Sequence, residues 1–164
     1  GGGAPRGICG SGLVDAAACG LDLGLLRATG RLAQGDRWTL AAPVVLTQTD
    51  IRELQLAKGA IAAGIRLLLA QWGASVEDLA CLHLAGAFGN YINRASARRI
   101  GLLPFAPDVV RPAGNTALLG AKLALFRESG DGFEYGAMRR KIRHVPLNED
   151  PGFHEIYVSE MQFP

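Results

Sequence analysis

Glycine sets the limits on what this chain can fold into. It supplies 22 of 164 residues, against 8 prolines, and no collagen-like period or low-complexity tract absorbs them. Many lie inside apolar segments, where glycine weakens a helix relative to alanine and needs a packing or ligand reason. The chain must therefore be built of short elements joined by tight turns. Three of those turns lead straight into helix starts.

The apolar pattern between the glycines alternates in type. Leu13, Ala16, Ala17, Leu21, Leu25 and Leu26 have helical spacing from Gly10 to about Gly30, fraying at Gly24 and Gly30. Arg37–Leu40 and Val44–Leu46 read as short strands around Pro43. Thr47-Gln48-Thr49-Asp50 opens the clearest helix, with Asp50 as N-cap and Glu53 completing a capping box. Its expected apolar stripe is Leu54, Ala57, Ile61, Ile65, Leu68 and Leu69, stopped by Gly73. Ser75–Asp78 predicts a short capped turn and Leu79–Ala85 a strand. Asn93 caps a helix through Ile100, closed by Gly101. A strand at Asp108–Arg111, a helix from Gly114-Asn115 to about Glu128, and a helix around Phe133–Arg143 follow. A strand at His144–Leu147 and a helix from about Pro151 complete the pattern. Strands alternating with helices predict an α/β layer architecture.

Composition narrows the function. Hydrophobic residues are 49% and charged residues 20%, which supports a packed core and argues against disorder or a coiled coil. The 17 basic and 15 acidic residues give +2. The one dense run, Arg139-Arg140-Lys141 with Arg143, is too small a field to argue for nucleic acid. The longest apolar stretch, Ala60–Trp72, carries Arg66, so no membrane span is expected. Cys9, Cys19 and Cys81 show no CxxC spacing, which argues against a disulfide framework or zinc site and makes a reducing cytoplasm the expected compartment. The opening Gly1-Gly2-Gly3-Ala4-Pro5 has no initiator Met and no signal pattern, and reads as the interior of a longer protein.

The three glycine turns are the places where chemistry can sit. Gly7-Ile8-Cys9-Gly10-Ser11-Gly12 enters a helix whose first N–H groups lack intrahelical partners and suit phosphate, ribose or carboxylate oxygens; tight packing is the other reading. The strand ending in Gly86-Ala87-Phe88-Gly89-Asn90 places glycines where α/β sheets present ligands, and an ordinary turn is the alternative. Gly114-Asn115 starts another helix, and Asn115 as a cap needs no ligand. His83 reads as structural or surface, His144 and His154 lack partners at ligand spacing, and Glu53 reads as a cap. Lys58 lies on the apolar edge of its helix, either snorkelling or touching a ligand. No Ser–His–Asp, paired-carboxylate or P-loop arrangement is present, so the residues alone describe a binding lobe with no catalytic residues.

The conjunction of 7–15, 47–61, 84–92, 100–104 and 114–121 resembles the C-terminal part of the reductive activators of corrinoid proteins, the RACo and RamA-like family. The resemblance runs from the first residues to the closing Phe-Pro. It implies the second half of an actin-like ATPase domain, ribonuclease H-like, with a mixed sheet flanked by helices and a small helical and strand insertion at about 31–75. Such activators belong to the superfamily of acetate and sugar kinases, heat-shock chaperones and actin. They use ATP and iron–sulfur clusters to return cob(II)alamin of a methyl-carrying corrinoid protein to cob(I)alamin.

Residue by residue, Gly86, Ala87, Phe88, Gly89 and Asn90 resemble the adenosine motif, with Ala87 where the second glycine of a pair usually stands. Gln55 and Lys58 resemble the helix residues that hold adenine and ribose from the other side. Gly10, Ser11 and Gly12 resemble a supporting helix start, and Gly114 and Asn115 the start of the second connecting helix, a hinge element. The implied cofactors are ATP with Mg and a 2Fe–2S cluster in a preceding part. The implied partner is a corrinoid protein, with a homodimer allowed and no nucleic acid or membrane. No metal site and no catalytic residue is expected in these residues, and no ATP hydrolysis by them alone. The alternatives are a non-catalytic protein-interaction module, and an activator of a 2-hydroxyacyl-CoA dehydratase in which a cysteine placed like Cys9 helps hold a subunit-bridging cluster.

Overall fold

The computed structural model describes residues 3–127 and 135–164. Helix α1 (Gly10–Asp22) leads to the antiparallel pair β1 (Arg37–Ala41) and β2 (Val44–Thr47), then to the long helix α2 (Gln48–Trp72). After a 3₁₀ turn at Val76–Asp78 come β3 (Leu82–Ala85), α3 (Ala87–Tyr91) and α4 (Arg94–Arg99). The order closes with β4 (Val110–Gly114), α5 (Thr116–Leu125), α6 (Tyr135–Lys141) and α7 (Phe153–Glu160). The strands form two separate two-stranded sheets, β1–β2 antiparallel and β3–β4 parallel.

One core joins these elements. Val14 and Ala17 of α1, Leu46 of β2, Ile51 of α2, Ile100 and Phe105 are all at most 2% exposed and belong to a single apolar cluster. Burial of this kind supplies about 25 cal/mol per Å² of apolar area removed from water. Phe163, next to the last residue, joins the same cluster at 3% exposure.

Several expected elements shift, each for a physical reason. Helix α1 ends at Asp22, because Gly24 turns the chain with φ +70 and Leu26 bridges back to Leu32. The N-cap of α2 is Thr47, not Asp50. The Thr47 hydroxyl accepts from the Asp50 N–H, and the Asp50 carboxylate accepts from the Thr47 N–H at 2.8 Å, so the capping box lies three residues earlier and Glu53 is exposed outside it. The earlier start is fixed by Gln48, whose amide donates to the Gly30 carbonyl and accepts from the Leu32 N–H.

The buried face of α2 is also rotated from the expected stripe. Ile61 and Leu68 are 48% and 47% exposed, while Gln55, Lys58, Gly59, Ala62 and Ala63 are buried. Small residues dominate that face because α7 packs closely on it. A Cβ on Gly59 would lie 3.1 Å from Met161 Cγ and 3.2 Å from the Tyr157 carbonyl.

Strand β4 begins at Val110, two residues later than the sequence suggests. His144–Leu147 is not a strand: it pairs with no neighbour among the described residues and runs into a 3₁₀ turn at Leu147–Glu149. The expected boundaries at Glu128 and Phe133 lie outside the described residues. No described helix is long and apolar enough to cross a membrane.

Candidate functional site

The parallel pair β3–β4 brings the second and third glycine turns together. Its register sets Leu82 opposite Val110 and Ala85 opposite Gly114, and the Gly86 N–H donates to the Gly114 carbonyl at 2.8 Å. Gly86 has φ +95, which only glycine adopts without strain, and it turns the chain directly into α3. Gly89 is buried one turn later. A Cβ there would lie 2.8 Å from Leu84 Cγ and 3.0 Å from the Leu84 carbonyl, so the fold of α3 back onto β3 demands a residue without one.

That fold presents Phe88 outward, at 47% exposure, against the start of α1. A Cβ on Gly10 would come within 2.9 Å of the Phe88 ring. Cys9, Gly10, Ser11, Ala87, Phe88 and Tyr91 line a cavity of about 380 Å³ between the two helix starts. The first and second glycine segments are thus neighbours. Tyr91, 78% exposed on its rim, is a lining residue that sequence reasoning did not select; an aromatic one turn beyond Phe88 was the available signal. Asn90 is exposed beside it.

The start of α1 is chemically open. Cys9 occupies its N-cap without forming a side-chain cap hydrogen bond, and of the first N–H groups that of Gly12 is turned toward its sulfur. The thiol pairs with the Ser11 hydroxyl at 3.2 Å. That hydroxyl, followed by the Gly12 N–H, holds the Cys9 thiol below its usual range. Gly12 packs under Ile8, where a Cβ would meet its side chain at 2.8 Å. The helix dipole adds a modest preference for negative or electron-rich atoms at this end. No lining residue carries a formal charge, so the cavity offers a flat aromatic wall and N–H donors but no counter-charge for phosphates.

Asn115 accepts from the Leu118 N–H and caps α5, and Gly114 has φ +69. Their role in the structure is to end β4 and redirect the chain.

Gln55 and Lys58 lie elsewhere. They are 2% and 1% exposed, and their donors go to main-chain carbonyls rather than to the cavity. Gln55 donates to the carbonyls of Thr29 and of Met161, at 3.2 and 2.9 Å. The Lys58 ammonium bonds the carbonyls of Glu160 and Gln162 and lies 3.8 Å from the Glu160 carboxylate, which Arg66 also pairs at 2.7 Å. Burial pushes the Lys58 pKa down, while Glu160 pulls it back up. Gly30 and Gly101, both with positive φ, make room for the Gln55 amide and the Lys58 ammonium respectively. As folded, Gln55 and Lys58, the residues expected at the nucleoside, fasten the C-terminal segment, whose Phe163 N–H also bonds the Ala28 carbonyl. Sequence reasoning missed this because a carbonyl acceptor a hundred residues away leaves no local pattern.

His83 is exposed, 3.8 Å from the Cys81 sulfur. Among the described residues, no group of three or more His, Cys, Asp or Glu side chains is placed to hold a metal ion.

Known proteins match the chain over nearly its whole length. All of 1–164 matches the family described as the C-terminal domain of RACo, the ASKHA domain. The corrinoid activation enzyme RamQ of Eubacterium limosum is 36% identical, over 98% of this chain and 32% of its own length. The [Co(II) methylated amine-specific corrinoid protein] reductase of Methanosarcina barkeri is 30% identical, over 96% of this chain and 29% of its own. The solved structure of a reductive activator for a corrinoid, iron–sulfur protein superposes with a TM-score of 0.85 at 31% identity, covering 96% of this chain and 28% of the other. The chain thus spans about a third of the length of these relatives.

Proposed function

We propose, for a chain that belongs to the family of RACo C-terminal ASKHA domains, that it is the nucleoside-binding half of an ATP-dependent reductive activator of a corrinoid protein. Residues 1–164 would form the C-terminal half of the actin-like ATPase domain, with about 31–75 as its smaller inserted unit. The reaction served is the return of an inactive cob(II)alamin to cob(I)alamin in the reducing cytoplasm. RamQ and the Methanosarcina reductase carry names that describe such activators.

The observation that carries the reading is the cavity between Gly10 and Phe88. An aromatic ring half open to solvent, two close-packed glycine turns and uncapped helix N–H groups suit a purine nucleoside. Gly86 and Gly89 let the backbone approach, Phe88 and Tyr91 supply faces for stacking, and Ser11 and Asn90 stand at the edge for polar groups. With no charged side chain in the lining, the triphosphate and its Mg²⁺ must find their ligands outside this cavity. A 2Fe–2S centre would be held in another part of such an activator. Gly114 and Asn115, tied to Gly86 through one hydrogen bond, couple the nucleoside turn to α5. Closure on nucleotide would in this way reach a second element, which is what an uphill electron transfer requires of binding energy.

The test is anaerobic. ATP-dependent loss of the cob(II)alamin signal of a corrinoid protein is followed with a whole activator in which these residues would be the C-terminal part, and with its Phe88→Ala variant. The reading expects turnover in the wild type and a KM for ATP raised about tenfold in the variant, the scale of one lost stacking contact. No turnover with any corrinoid protein, or an unchanged KM in the variant, contradicts it.

A further inference from the structure

Two arginines stand opposite each other on a short hairpin that the nucleoside cavity does not use. The Leu26–Leu32 bridge is antiparallel, and its register sets Arg27 across from Arg31. The Arg27 N–H donates to the Arg31 carbonyl at 2.9 Å, the Gly30 N–H donates to the Arg27 carbonyl at 2.8 Å, and Gly30 closes the turn with φ +81. Leu26 and Leu32 are buried, so alternation along the two arms turns both arginines outward, where they are exposed. They line one recess of about 370 Å³ with Leu32, Ala33 and Gly35.

Like charges directly opposite one another destabilise a hairpin. Nothing in the described residues offsets this pair. Neither guanidinium has an ion-pair or hydrogen-bond partner there, and the acids nearest in sequence are engaged elsewhere: Asp22 with Arg99 at 2.6 Å and Asp36 with Arg37 at 3.8 Å. The turn itself is nevertheless firmly held from behind. The carbonyls of Ala28, Thr29 and Gly30 accept from the Phe163 N–H, the Gln55 amide and the Gln48 amide, at 2.9, 3.2 and 2.7 Å. Gln48 also accepts from the Leu32 N–H. Partners from α2 and the C-terminal segment thus fix a turn that presents two uncompensated guanidinium groups.

We propose that Arg27 and Arg31 clamp a phosphate group, free or as the ester of a small molecule. A guanidinium carries its donors in a planar fork that matches phosphate oxygens, and two of them on one recess supply the charge that a phosphate dianion requires. The fixed turn lowers the ordering cost of binding. The recess has the volume of a small-ligand pocket, and two arginines are too short a field to track a nucleic acid. It lies past the C-terminal end of α1, a helix about 20 Å long whose other end opens on the nucleoside cavity. The clamp therefore stands whether or not that cavity holds a nucleoside.

The experiment is a titration of the isotope-labelled protein, without nucleotide, followed through backbone amide and arginine side-chain NMR signals. Sodium phosphate and glycerol phosphate are the probes, with sodium chloride and sodium acetate at matched ionic strength. Saturable shifts at Arg27–Gly35 are expected with both phosphates, and the tighter of the two names the source. Arg27→Gln and Arg31→Gln each weaken binding about tenfold, the scale of one lost charge-assisted contact. Arg31→Lys, which keeps the charge and loses the fork, weakens it severalfold. Arg37→Gln, which removes an arginine already paired with Asp36, leaves it unchanged. Without phosphate both glutamine variants melt at or above the wild-type temperature, because a like-charge pair has been relieved. Shifts that never saturate, equal responses to phosphate and acetate, or binding unaltered by either glutamine substitution overturn the proposal. So does a glutamine variant that melts several degrees earlier without phosphate, since the arginines would then serve the fold.

Discussion

Two faces of the molecule use polar and small residues in opposite ways. Under the C-terminal segment, Gln55 and Lys58 are almost wholly buried and every placed donor meets a carbonyl or a carboxylate. At the start of α1, the polar groups are shallow, the helix N–H groups are left uncapped, and the glycines clear space beside an aromatic ring. The first arrangement is complete in itself and the second is not. Polar side chains with all partners inside the chain hold the fold; open donors beside a flat apolar wall are available to a ligand. The lesson is that a residue type known to touch nucleotides elsewhere must still be asked where its hydrogen bonds go.

Substitutions separate the two faces, and the largest effect belongs to the closed one. Lys58→Met leaves the Glu160 and Gln162 carbonyls without their charged donor in a buried setting, an expected loss on the order of 3 kcal/mol in urea unfolding. Nucleotide affinity of the folded fraction stays unchanged; a selective loss of affinity with stability intact would erase the contrast. The same lysine fixes a pH dependence. Its pKa is lowered in the fold, so between that value and the ordinary 10.5 the unfolded chain binds more protons, and stability rises with pH across the window. Below both values the contribution is constant, and Lys58→Met removes the slope.

Gly89→Ala comes next. The new Cβ would meet Leu84 at 2.8 Å and its carbonyl at 3.0 Å, with an expected cost of about 1–3 kcal/mol and a displaced Phe88. Both stability and nucleotide affinity should fall, because this glycine shapes the open face from beneath. Phe88→Ala sharpens the comparison further. Its ring is half exposed, so the melting temperature barely moves while nucleotide binding weakens by about 1–3 kcal/mol.

The smallest effect lies at the start of α2. The Thr47 N–H and then its hydroxyl hold the Asp50 carboxyl below 3.8. Its stabilisation is present above the unfolded value and is lost as pH falls through the lowered one, by about 1 kcal/mol or less for a partly exposed cap. Asp50→Asn should flatten that acid limb and leave the open face untouched.

Much of the open face was legible in the sequence because its rules are local. Gly86, Asn93 with Gly101, and Asn115 each announce a turn or a cap within three or four residues, and the structure places them as turns and caps. The closed face was not legible. Apolar spacing on α2 pointed to Ile61 and Leu68, yet α7 and the tail select the smaller neighbours Gly59, Ala62 and Ala63. Gln55 and Lys58 are bonded to residues more than a hundred positions away, and only tertiary contact reveals it. The capping box at Thr47 and Asp50 was displaced for the same reason, since Gln48 docks on the Gly30–Leu32 loop.

Backbone amide NMR during a titration with Mg-ATP, with ADP alongside, tests the central claim most directly. Shifts confined to Gly10–Gly12 and Gly86–Tyr91, with the amides around Gln55, Lys58 and Met161–Phe163 unmoved, are the predicted result. Shifts concentrated at 55–58 and the C-terminal segment, with the Gly10–Phe88 cavity silent, would contradict it.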